Sequence, residues 1–497
     1  MLGTYYTFPE LLLWIPLLTG VITFFIKKDS SVKNFAIFSS LATLVVSIIS
    51  LFFSDVAHHQ EYFLYNNVSY IWMPYLGSTF YVGLDGMGYI LTFLTAFTYP
   101  IIFAASYKSE YKNANTFYGL MLLTQAGLMG VFVAMDALVF YFFWELALIP
   151  VYFLCSRWGG EKRIPATFKF FIYTFAGSLL MLVGIIYIYL YTPSLSPLSD
   201  HSFSLAAFYK TGLTPNRQAG LFCLFFIAFA IKMPVFPFHT WQPDVYEQAP
   251  YPAVMVMSGL MVKMGVFAMI RWLLPLFPLA VVKFDNIILI LSVTGIIYAS
   301  CIAFVQDDLK RLVAWSSIAH IGLMAAAIFS RNISGLQGVM LEMFNHGVNI
   351  IALWIVVEII NEKTGIRKIS DLGGLAVKSP ALAIFFVIIA LANIALPLTN
   401  AFVSEFMMFN GLFEHNKWFA AFACLGIILS AVYMLRMIQK VFYGTPNSFT
   451  ENAGTISIRQ KIILSVIVIT ILLLGIYPEP ILNLTETTVT EILQKIQ

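Results

Sequence analysis

The chain has 497 residues, of which 60% are hydrophobic and 11% charged. Soluble domains carry about 25% charged residues, so this composition excludes an apolar core wrapped in a polar shell. The net charge of +3 comes without any run of Lys or Arg long enough for a nucleic-acid surface, so the lipid bilayer is the expected partner and no nucleic acid is.

Apolar stretches of membrane-crossing length, about 20 residues each, recur from end to end. In chain order they cover 10–26, 35–53, 85–107, 116–134, 137–157, 167–191, 220–246 and 252–274, then 286–305, 312–329, 335–360, 381–412, 418–442 and 462–477. The first lacks a basic region ahead of it and a cleavable small-residue site after it, so it is expected as a retained helix. Trp14, Tyr107, Trp158, Trp272, Trp418 and Tyr477 stand near span ends, as interfacial anchors do. The predicted fold class is an all-α polytopic membrane protein of about 14 transmembrane helices, one transmembrane domain over 1–497.

Basic residues divide unevenly between alternating connections. Lys27, Lys108, Lys162, Arg163, Lys310, Arg311, Arg367 and Lys368 belong to the rich side, and Lys210, Arg217, Arg271 and Lys283 to the poor one. The division, about 19 against about 7, puts the rich side in the cytoplasm.

Two spans are interrupted. Pro234 and Pro237 follow Lys232, and Pro397 lies inside the twelfth span. A proline has no N–H and displaces the carbonyl four residues earlier, so the carbonyls of Ala230, Met233 and Asn393 are expected to be freed. Exposed backbone at membrane depth persists only inside protein or beside a wet cavity. Broken helices five spans apart predict two inverted five-helix repeats, 113–276 and 284–442, with two discontinuous helices.

The candidate chemistry lies at the same depth. Lys263 is eleven residues after Pro252 and twelve before Pro275, mid-helix, where a lysine costs roughly 3 kcal/mol or more without water or a partner. Burial disfavours the charged amine, which suits such a residue to binding and releasing a proton. Glu145 and Lys232, both mid-span, are candidates for an ion pair that is either permanent or opens and closes. Glu405 is eight residues past Pro397, about 12 Å along a helix. His320 is mid-span, and Glu342 and His346 share a helix face four residues apart. Imidazoles pass protons by accepting on one nitrogen and donating from the other. His239 follows the first break and is a candidate gating residue with Pro234, Pro237 and Pro397, whereas His58 and His59 read as a solvated loop pair. Cys155, Cys223, Cys301 and Cys424 form no CxxC pair, so no metal or iron–sulfur ligand set is expected. Walker and Rossmann motifs are missing too. The driving energy is therefore expected from a partner or an ion gradient.

The stretch KMPVFPFHTWQPDVYEQAPYPAVMVMSGLMVKMGVFAMIR, 232–271, resembles the signature of the antiporter-like subunits of respiratory complex I. The resemblance extends through FYFFWELALIPVYFLCSRWGG around Glu145, DDLKRLVAWSSIAHIGLM around His320, EMFNHGVNIIALW around His346 and LPLTNAFVSEF around Glu405. It implies that Glu145 and Lys232 are the family's ion pair, Lys263 its central proton carrier, Glu405 the outlet, and His320 and His346 part of its hydrophilic axis. The sister chains L and N usually carry lysine where this chain has Glu405. Three departures stand out: Gln242-Pro-Asp-Val-Tyr246 replaces a Leu-Pro-Asp-Ala-His run, Glu342 replaces an uncharged residue, and Leu398 and Asn400 replace glycines. The resemblance implies a proton-translocating subunit of a bacterial inner-membrane NADH:quinone oxidoreductase, beside chains L and N. FMN, iron–sulfur clusters and quinone would lie in partner subunits, with no cofactor or redox catalysis in this chain. The alternative is a subunit of a multi-subunit sodium/proton antiporter.

Overall fold

The computed structural model describes residues 7–52, 64, 66–194 and 199–496; His58 and His59 lie outside the described residues. Helices α1 (Phe8–Thr23) and α2 (Asp29–Phe52) are followed by an antiparallel hairpin of β1 (Asn66–Met73) and β2 (Ser78–Leu84). Next come α3 (Gly86–Ala105), α4 (Ala114–Val133), α5 (Ala137–Trp158), α6 (Arg163–Tyr189) and α7 (Pro215–Lys232). A short α8 (Gln242–Gln248) follows the first break and leads into α9 (Tyr251–Leu276). The remainder is α10 (Pro278–Val305), α11 (Leu309–Phe329), α12 (Ile333–Thr364), α13 (Pro380–Asn393), α14 (Asn400–His415), α15 (Lys417–Phe442), α16 (Ile458–Ile476) and α17 (Glu479–Ile496).

Among the described residues, 11 helices are long and apolar enough to cross a membrane, and α1 and α13 are shorter apolar ones. Each predicted span coincides with a helix or, at the two breaks, with a pair. The fold is that of an all-α polytopic membrane protein, and the hairpin and α17 are additions that a search for long apolar runs passes over. The hairpin is built from two short strands of eight and seven residues, and α17 is amphipathic, burying Thr485, Val489 and Ile492 while exposing Glu479 and Glu486.

Helix ends in lipid leave backbone donors that only protein can satisfy, and the sequence supplies short polar caps where they are needed. Asp85 caps α3, Asp136 caps α5 and Asp308 caps α11, each accepting from backbone N–H groups of the first turn. Ser457 and Gln460 form a capping box on α16.

By contact, the chain forms two compact units. The first runs through Met233 and includes Leu260–Phe284 and the residues from Asn483 on; the second comprises Pro234–Gly259 and Asp285–Leu482. In the first, α4 and α5 meet backbone to backbone: a Cβ on Gly127 would stand 2.5 Å from Ala147 N, and one on Gly130 would stand 2.1 Å from the Phe143 ring. In the second, a Cβ on Gly338 of α12 would stand 2.8 Å from Met408 N. One on Gly411 of α14 would stand 2.5 Å from Gly335 N. Small residues at such crossings are what lets membrane helices pack closely, and here they press α14 onto α12.

α9 is buried along its whole length and so is α11, whereas α2, α15 and α16 expose apolar side chains such as Phe38, Phe422 and Ile469. α9 is not a plain α-helix. π-helical turns at Met257–Met261 and Met269–Leu273 flank the α-helical segment that holds Lys263, and such bulges recur at functional positions.

Candidate functional site

In the first unit Lys232 is the last residue of α7 and is buried. A cation there is favoured by the partial negative charge at a helix C-terminus, and its ammonium lies 5.3 Å from the Trp144 ring centroid. Glu145, next to Trp144 on α5, is within electrostatic range of Lys232. Among the described residues, no hydrogen bond reaches either Lys232 Nζ or Glu145 Oε1. The two charges therefore stand in each other's field without a closed contact, and Tyr141, one turn earlier, approaches the Glu145 carboxylate. Lys263 is wholly buried on α9. Two residues on, Gly265 abuts the end of α7: a Cβ would lie 2.8 Å from Met233 N and 2.9 Å from the Phe229 carbonyl. The glycine is what lets the helix of Lys263 approach the end of the helix of Lys232.

In the second unit the twelfth span breaks as Pro397 requires. α13 ends at Asn393, Ala395 and Leu398 have φ of 54° and 74°, and α14 resumes at Asn400. The predicted free carbonyl of Asn393 has a specific partner: it lies 3.0 Å from His320 Nε2. His320 Nδ1 lies 2.8 Å from the Ser316 carbonyl, and Nε2 is also 3.6 Å from Glu405 Oε1. Both ring nitrogens thus face oxygen acceptors, whereas a neutral imidazole donates through one nitrogen only. A second proton on this ring would meet an acceptor already in place. The His346 ring is 5.5 Å away, centroid to centroid, at 48°.

Around this pair runs a polar stripe on α12: Glu342, Asn345, His346 and Asn349, the i, i+3, i+4, i+7 positions of one helical face. The Ser404 hydroxyl donates to Glu342 Oε2 at 2.6 Å. Asn345 Nδ2 donates to the Asn400 carbonyl at 2.8 Å and Asn349 Nδ2 to Asn400 Oδ1 at 3.1 Å. A cavity of about 30 Å³ lies beside Glu405, lined in part by His320, Ser430 and Tyr433. That is room for two or three waters, each needing about 10–15 Å³ by this measure.

Predicted gating residues are placed as follows. His239 is buried in aromatic surroundings, 5.5 Å from each of the Phe236, Tyr298 and Trp315 rings, between Pro237 and α8. Tyr246, at the departure from the family pattern, packs edge-on to Trp354 at 6.0 Å.

Several polar residues of these interiors escape a reading by span. Asn345, Asn349, Ser404, Ser316 and Tyr433 carry no charge to flag them; the helical spacing on α12 could have found the two asparagines, and no local signal marks the other three. Arg271 is not in a connecting segment but buried in the second π turn, paired at 2.5 Å with the capping carboxylate of Asp85. Lys310 is not a loop cation either. It is buried, donates to the carbonyls of Glu247 and Ala249 at 3.2 and 2.7 Å, and lies over the Tyr251 ring.

A family model described as "NADH:quinone oxidoreductase/Mrp antiporter, TM" matches residues 134–430. The NADH-quinone oxidoreductase subunit M of Rhodobacter capsulatus is 36% identical over 474 residues, covering 94% of this chain and 91% of its own. The chain belongs to the antiporter-like membrane subunits of NADH:quinone oxidoreductase. Among solved structures, a chain of respiratory complex I from Thermus thermophilus with bound NADH superposes at TM-score 0.90 with 27% identity, covering 98% of this chain and 100% of its own. A chain of the Mrp complex from Dietzia sp. DQ12-45-1b superposes at TM-score 0.85 with 19% identity, covering 98% of this chain and 99% of its own, a likeness of fold alone.

Proposed function

We propose that this antiporter-like subunit carries protons across a bacterial inner membrane as an M-type chain, driven by redox chemistry in neighbouring subunits. The observation that carries the reading is Lys263, an amine wholly enclosed in a membrane-crossing helix, where charge is costly and by default functional. Glu145 and Lys232 supply opposite charges that are near but not in contact; closing and opening that pair changes the field in which Lys263 binds its proton. In the second unit, His346 and His320 take a proton on one ring nitrogen and release it from the other, Glu342 adds a carboxylate beside them, and Glu405 is the outlet. Pro234, Pro237 and His239 shape the turn after Lys232, and Pro397 the second break, so that these residues gate rather than carry. The repeats 113–276 and 284–442 are related by inversion in this reading. FMN, iron–sulfur clusters and quinone belong to partner subunits, with L- and N-type chains as the membrane neighbours. Sodium/proton antiport is the weaker alternative: the family model spans both classes, but the relative at 36% identity is an NADH-quinone oxidoreductase subunit M, whereas the Mrp chain shares the fold at 19% identity.

The test is Lys263→Ala in the assembled complex, in inverted membrane vesicles. Protons pumped per electron should fall several-fold while uncoupled NADH oxidation persists. Undiminished pumping at normal electron transfer would sink the reading.

A further inference from the structure

His320 is clasped at both nitrogens by backbone carbonyls, those of Ser316 and Asn393. The side chains of these same two residues are joined: Asn393 Nδ2 donates to Ser316 Oγ at 3.2 Å. A third residue completes the arrangement. Tyr433 of α15 is fully buried and its hydroxyl donates to the same Ser316 Oγ at 3.0 Å. A buried phenol needs a polar partner, and this one spends its hydroxyl on the oxygen that ties together the two residues holding His320. Asn393 is the last residue of α13, and its carbonyl is available because Pro397 cannot bond it. Its carbonyl is therefore oriented by His320 and by the side-chain tie to Ser316 rather than by a further turn of helix. Nε2 has a second acceptor in Glu405 Oε1, at 3.6 Å against 3.0 Å for the carbonyl. Tyr433 and Glu405 line one cavity.

We propose that Tyr433 is a positioning residue for His320, acting through the Ser316 hydroxyl and the Asn393 amide. It fixes how the Nε2–H is shared between the Asn393 carbonyl and the Glu405 carboxylate. Without the phenol, the Ser316 hydroxyl is free to turn back to its own helix, as serines in helices do. The Asn393 amide then loses a fixed acceptor, and its carbonyl no longer stays against Nε2. The ring is left to Glu405. The inference rests on the proton path proposed above, of which His320 and Glu405 are members.

The experiment uses the whole complex in inverted vesicles, with protons pumped per electron recorded against pH. Its variants are Tyr433→Phe, Ser316→Ala, their double and Ser316→Thr. Tyr433→Phe keeps the ring and deletes only the hydroxyl. Each of the two single changes should displace the pH profile by about half a pH unit, the size of one neutral hydrogen bond. The double should go no further, because both act on one oxygen, and Ser316→Thr should restore the wild-type profile. A Tyr433→Phe profile that coincides with wild type, or a double displacement equal to the sum, overturns the proposal. So does a loss of assembled complex or of amplitude with the profile unmoved, which is what a merely structural phenol would give. Glu405→Gln, run alongside, separates the two readings. Pumping that survives it undiminished refutes the path itself, whereas pumping abolished by it with Tyr433→Phe silent refutes only the positioning role.

Discussion

Asp136 shows how one buried carboxylate serves several donors. It lies in the connection ahead of α5, accepts from Leu138 N and Val139 N at 2.9 and 3.3 Å, and takes the Thr79 N–H and Ser78 hydroxyl of β2 at 3.0 and 3.1 Å. Burial nonetheless outweighs these bonds and raises its pKa from 3.8 to about 6. A folded pKa above the unfolded one means that its contribution to stability is complete below about 3.8 and is lost as pH rises through about 6. Asp136→Asn keeps an acceptor for the cap and cannot ionise. Relative to that variant, the wild type should lose on the order of 3 kcal/mol between about pH 4 and 6.5, since each pH unit between the two pKa values is worth about 1.36 kcal/mol. The apparent Tm of detergent-solubilised protein reads it, and parallel curves for the two proteins would refute it. At this scale the sequence was legible where a charge had nowhere to hide: Lys263 at a span centre, Lys232 beside prolines, and the histidines. Lys310 and Arg271 were not, because a cation near a span end looks cheap until carbonyls and a capping carboxylate are seen to surround it.

The second break is an element whose cause and shape differ in legibility. Pro397 announces the interruption and even the carbonyl it frees, but not which donor takes that carbonyl, because His320 is distant in sequence. Nor does it announce that Ala395 and Leu398 turn left-handed, with φ of 54° and 74°. A side chain in that region costs roughly 1–2 kcal/mol, and Leu398 is exposed, so it offsets little of that by packing. Leu398→Gly should therefore stabilise the folded chain by up to about 1 kcal/mol, since the relief exceeds the roughly 0.4–1 kcal/mol of extra unfolded-state entropy. A denaturation midpoint that falls or stays put would show that the strain is absent. The hairpin of β1 and β2 illustrates the opposite difficulty. Its strands are short and bury no regular alternating face, and among long apolar helices it has no hydropathy signal of its own.

For the whole molecule, orientation was read from cations alone, and it has a direct check. In a background with Cys223, Cys301 and Cys424 replaced by serine, Lys162→Cys should react with an impermeant maleimide only from the cytoplasmic side. Lys210→Cys should react only from the opposite side. Labelling of both from one side would overturn the assignment. The helix count and the two breaks were legible because hydrocarbon imposes length and backbone satisfaction on any sequence that crosses it. How the chain divides into two units was not, since that depends on contacts such as Gly338 with Met408 and Gly127 with Ala147, which no local pattern encodes.

The small cavity beside Glu405 bears on how a proton would travel along the path proposed above. About 30 Å³ holds two or three waters at about 10–15 Å³ each. A proton travels along hydrogen bonds and occupies no volume of its own. In that proposed path, waters held beside Glu405 carry the proton onward, and Tyr433→Ala, which removes a lining side chain, would admit more of them.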